Sequence, residues 1–111
     1  MATFDDLRRI SLSLPEVAEI LTWETEATFR VRNKIFVLAQ DGGAHASFKA
    51  TLTMQDDLVY RDPETFGPAA YVGRFGWVDV DLARVDAHEL EALLRQAWRL
   101  TAPQKLAATD G

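Results

Sequence analysis

The feature that most limits the fold is a change of hydrophobic rhythm at Thr28. From there the apolar residues fall on alternate positions: Phe29 and Val31 share one side, Thr28 and Arg30 the other. Alternation is the signature of a half-buried strand. Arg32-Asn33 supplies a two-residue turn, and Lys34 to Leu38 returns. That register sets Phe29 opposite Phe36, an aromatic cross-strand pair. Asp41-Gly42-Gly43 is a second turn, and Ala44 to Ala50 a third strand with Ala46 and Phe48 inward. The reading is a three-strand antiparallel meander.

Helical patterns flank it. Phe4, Leu7, Ile10 and Leu14 recur at three- and four-residue spacing after Thr3, a good cap residue, and Pro15 ends the run. Residues 3–13 read as an amphipathic helix. PEVAEILTWETE reads as a connection. Thr51 or Thr53 caps a short helix over MQDDLVYR, and DPETFGPAAY reads as a loop. Trp77 to Leu82 alternates again, with Val78, Val80 and Leu82 on one side and Trp77, Asp79 and Asp81 on the other. Asp86-Ala87-His88-Glu89 is shaped like a capping box opening a helix whose face is Leu90, Leu93, Leu94, Ala97, Trp98 and Thr101. The whole makes an α+β domain, with helices over one face of an antiparallel sheet and the other face left to solvent or a partner.

The chain has 111 residues, enough for one domain (1–111) with one core. Its apolar fraction is 48% and its charged fraction 26%, both ordinary for a globular protein. No apolar run is long enough to span a membrane, and MATFDDLRRI is unlike a signal peptide, so a cytoplasmic location is expected. The chain has no cysteine, which excludes disulfides, thiolate nucleophiles and cysteine-ligated metals. His45 and His88 lie far apart in sequence, and no metal site or cofactor is expected. Ser11, Ser13 and Ser47 have no histidine in a credible relation to them, so no catalytic residue is assigned and the chain is read as a non-enzyme. Net charge is −5, where most free-standing nucleic-acid binders are basic.

Four stretches carry a family resemblance: the opening helix with SLSLPEVAE, then TFRVRNKIFVLA, FGPAAYVGRFGWVDVDL and ELEALLRQAWRLTAPQKL. Together they span nearly the whole chain, which resembles the MmcQ/YjbR family. The family often has glycine in the first hairpin turn, where this chain has Arg32-Asn33. Arginine at positive φ costs about 1 kcal/mol, so a different turn type is expected. The resemblance implies a two-layer sandwich similar to the frataxin-like fold and a double-wing DNA-binding role. It carries no catalytic residue and no cofactor.

The candidate contacts follow. Arg30, Arg32 and Lys34 put three cations in five residues at a hairpin tip, which suits either phosphate contacts or a solvated hairpin guarded against aggregation. Lys49 extends the strip if it shares the face of Arg30. In GRFG, Gly73 and Gly76 are read as supplying unusual backbone angles, and Arg74 as gripping a phosphate or stacking beside Trp77. Unlike the GXXG clamp of KH domains, this turn precedes a strand rather than joining two helices. Phe75 either packs inward or, with Trp77, supplies stacking. Asp79 and Asp81, about 7 Å apart on one side of a strand, read as a solvated face rather than a metal or acid–base pair. The expected partner is double-stranded DNA, held through Arg30, Arg32, Lys34, Lys49, Arg74, Phe75 and Trp77. The alternative is a protein partner on the uncovered sheet face.

Overall fold

A computed structural model describes residues 1–22 and 25–109. The elements run α1 (Phe4–Ser13), β1 (Val17–Thr22), β2 (Glu26–Val31), β3 (Lys34–Gln40), β4 (His45–Phe48), α2 (Leu52–Arg61), β5 (Phe66–Pro68), β6 (Val78–Asp81), α3 (Ala87–Thr101) and α4 (Gln104–Thr109). The six strands form one antiparallel sheet in the order β1-β2-β3-β4-β6-β5. The expected α+β architecture holds, with more strands than the alternation revealed.

The helix starts obey their capping residues. Thr3 accepts from the Asp6 amide while the Asp6 carboxylate accepts from the Thr3 amide, a complete capping box. Thr51 caps α2 through the Met54 amide. Asp86 caps α3 by accepting from the amides of His88 and Glu89. The Glu89 carboxylate takes the Arg61 guanidinium.

Ala27, Phe29, Val31, Val37, Ala39, Ala46, Phe48, Val78 and Val80 point from the sheet into the core, where Leu7, Ile10, Leu90, Leu94 and Trp98 cover them. Trp98 is fully buried, and its indole N–H donates to the Pro15 carbonyl at 3.0 Å, tying α3 to the chain after α1. Among the described residues no helix is long and apolar enough to cross a membrane.

Three expectations about the sheet are corrected. Most of PEVAEILTWETE is not a connection: Val17–Thr22 pairs with β2 as an edge strand, while Trp23 and Glu24 lie outside the described residues. Within DPETFGPAAY, Phe66–Pro68 forms the opposite edge. Phe29 lies opposite Val37, not Phe36, because the register slips by one residue between Phe29 and Arg30. Such a bulge sets two neighbours on one strand against one on the other. Phe36 and Val37 are both fully buried as a result.

Candidate nucleic-acid interface

The face away from the helices can be laid out row by row from the register. Its middle row is Ile20, Thr28, Leu38, Ser47, Asp79 and Gly67. The next row toward the β2–β3 turn holds Ala18 and Arg30, two residues along their strands, and Ile35, three along β3 because of the bulge. Alternation adds Lys49 and Trp77 to that side, since Ser47 and Asp79 face the same way. Two residues in the other direction lie Thr22, Glu26, Gln40, His45 and Asp81. One end of this face is therefore basic and the other acidic. Arg30 and Lys49 share a face as anticipated, with Cα atoms about 10 Å apart across two strand spacings.

Pairing sharpens the contrast. Arg8 bridges Glu19 and Asp41 at 2.8 and 3.0 Å, Arg9 meets Asp6 at 3.3 Å, Arg61 meets Glu89 at 3.2 Å, and Arg84 pairs with Glu64. Arg30, Lys34, Lys49 and Arg74 have no carboxylate partner among the described residues, and neither has Lys105 on α4. The Arg30 Nε donates instead to the Thr28 hydroxyl at 3.1 Å, which itself donates to the Ile20 carbonyl at 2.8 Å.

The hairpin tip departs from expectation. Arg32 and Asn33 both have positive φ, 50° and 68°, as a type I′ turn requires. Arg32 is not free for a phosphate, because its guanidinium holds the Glu16 carboxylate, with one N–O distance of 3.0 Å. The bond raises the arginine pKa and lowers that of the glutamate. Glu16 itself has φ 60°. Lys34 pairs with the buried Val31 and so belongs to the helix side of the hairpin, not to the face of Arg30.

The segment YVGRFGWV is a compact loop. The Ala69 amide donates to the Trp77 carbonyl and the Gly73 amide to the Ala69 carbonyl. Gly73–Phe75 makes one 3-10 turn. Gly76 has φ 105°, and a Cβ there would lie 2.4 Å from the Ala50 carbonyl oxygen. Gly73 lacks such an angle; its need is close approach, since a Cβ would sit 3.0 Å from that of Pro68. Beneath the loop, Gln55 is only 6% exposed, and its amide donates to the carbonyls of Gly73 and Trp77, both at 2.7 Å. Sequence reasoning missed Gln55; a polar residue one turn from Leu58 on the covered side of α2 was its signal.

Above this support the loop displays its aromatics. Tyr71 is 95% exposed with φ 63°, and Phe75 is 62% exposed rather than packed inward. Arg74 lies over the Phe75 ring at 4.9 Å, so its aromatic neighbour is Phe75 and not Trp77. Trp77 is half-buried. Between the loop and the sheet runs a groove of about 410 Å³, lined by Glu26, Leu38, Gln40, His45, Ser47, Tyr71 and Asp79 among others. His45, which sequence reading left isolated, reaches from β4 to Asp79 on β6 at 2.9 Å. Asp81 accepts from the Ala83 amide. Among the described residues no group of three or more such side chains could hold a metal ion.

A family model described as YjbR matches residues 12–100. The chain is also similar to the crystal structure of Deinococcus radiodurans protein DR2400, which carries a DUF419 domain. The two share 26% identity and a TM-score of 0.80, over 90% of this chain and 78% of that one. No curated protein matches.

Proposed function

This chain belongs to the YjbR family, and from that premise we propose that it is a non-enzymatic DNA-binding module. It grips backbone phosphates with Arg30, Lys49 and Arg74, and with Lys34 from the hairpin flank. The observation that carries this reading is the placement of unpaired cations. Most arginines on the helical side are held by carboxylates, while the open face keeps unpaired cations at one end. A net charge of −5 would repel DNA from most of the surface, so the basic end also fixes how the protein approaches. Arg32 helps by shaping the turn, because Glu16 already occupies its guanidinium.

Phosphate contacts make affinity fall with salt at a slope near 0.9 per contact. Titrating fluorescently labelled duplex at low salt should give a log–log slope of about −3.6 for the four contacts, and Arg30→Ala with Lys49→Ala should reduce its size by about 2. No binding at micromolar protein, or binding indifferent to these changes, overturns the reading. A protein partner on the open face is the second reading. Ile20 favours it, being 39% exposed on that face beside an unpaired sheet edge. Self-association that survives high salt and is lost in Ile20→Lys, measured by light scattering, would select it.

A further inference from the structure

We propose that the groove under Tyr71 receives an unpaired nucleobase, so that the preferred ligand is single-stranded DNA, or duplex with an extruded base. This rests on the DNA-binding reading and names the substrate class for the same face.

The two ends of the open face suit different parts of a nucleotide. Arg30 and Lys49 attract phosphate. The groove does not, because Glu26 and Asp79 line it and it contains no lysine or arginine. What it offers is an apolar floor at Leu38, an apolar loop wall at Ala70 and Val72, and hydrogen-bonding groups at Glu26, Gln40, His45, Ser47 and Asp79. Carboxylates and amides accept from exocyclic amines of bases, and the volume lies in the usual range of small-ligand sites. Tyr71 stands at the rim, almost wholly exposed, where its ring can close over a base inserted between loop and sheet. Phe75, with Arg74 over its ring, offers a second stacking surface on the same loop. Rings displayed this way have little to stack on in an intact duplex, whose bases are covered by one another. Every base in a single strand has a free π-face.

The test compares a labelled mixed-sequence single strand with its matched duplex by fluorescence anisotropy, at one low salt concentration. The single strand should bind more tightly. Tyr71→Gly should weaken it about five-fold or more, the range of a lost base–aromatic stack, and move the duplex little. This substitution also relieves the left-handed backbone at Tyr71, so a loss of binding cannot be ascribed to unfolding. Tyr71→Phe keeps the ring and should restore single-strand binding; Asp79→Asn should weaken it. Equal affinity for both ligands, unchanged by Tyr71→Gly, overturns the groove as a base site and leaves the phosphate reading standing. Binding of neither ligand overturns both.

Discussion

At the scale of single residues, the candidate loop depends on Gln55 beneath it as well as on its own glycines. Its amide serves two inward-facing carbonyls. Replacing it by Met fills the space and leaves both without that donor. The expected cost is about 2 kcal/mol, read as a lower urea midpoint with unchanged slope. Gly76→Ala should cost at least as much, because the left-handed backbone and the Ala50 carbonyl both exclude a Cβ. The glycine was legible, since GRFG before an alternating strand demands a bend. Gln55 was not, because one glutamine in a short helix looks like any surface residue until its carbonyl partners, eighteen or more positions away, are known. Asp6 and Glu16 add a pH dependence. Hydrogen bonding to Thr3 and Arg9 lowers the Asp6 pKa, and Arg32 lowers that of Glu16. Groups depressed in the folded state stabilise it above the unfolded pKa and lose that effect as pH falls through the folded value. The melting temperature should therefore drop as pH falls below about 4, and Asp6→Asn with Glu16→Gln should flatten that limb.

Elements with a cap and a clean period announced themselves. α1, α2 and α3 begin where Thr3, Thr51 and Asp86 place them. Asp86→Ala should cost about 1 kcal/mol, seen as a lower thermal midpoint, since two amides of the first turn of α3 lose their acceptor. The two edge strands were illegible for physical reasons. In β1 the helix side carries Glu19, half-buried where Arg8 of α1 meets it, so the expected alternation of apolar and polar is broken. β5 is three residues long and holds Gly67 and Pro68, which propensity assigns to loops; an edge tolerates them because one side of the strand needs no partner. The bulge at Phe36 escaped because a two-residue turn fixes the register at its own end of a hairpin and says nothing about a slip three residues on.

For the whole molecule, the identity of the cations was plain and their state was not. Sequence placed Arg30, Lys49, Arg74 and Trp77 among the candidates, and register sets Arg30, Lys49 and Trp77 on one face. Which arginines are already engaged depends on folding, because the carboxylate partners of Arg32 and Arg61 lie sixteen and twenty-eight positions away. Segregation of engaged from free cations has a measurable consequence. Arg9→Ala and Arg61→Ala, on the helical side, should change DNA affinity less than two-fold, whereas equal charge removal at Lys49 and Arg74 should weaken it and lower its salt slope. Equal effects at both sets would mean that affinity follows net charge alone.

The Glu16–Arg32 bond joins two side chains whose own backbones both sit in the region that disfavours a Cβ. It works as a two-part clasp between the residue before β1 and the tip of the β2–β3 hairpin. That tip is thereby tied to the chain just before β1. Sequence drift at the clasp should be concerted: once either member is lost, the other keeps its strained backbone with nothing to offset it, and glycine becomes the favoured replacement at both.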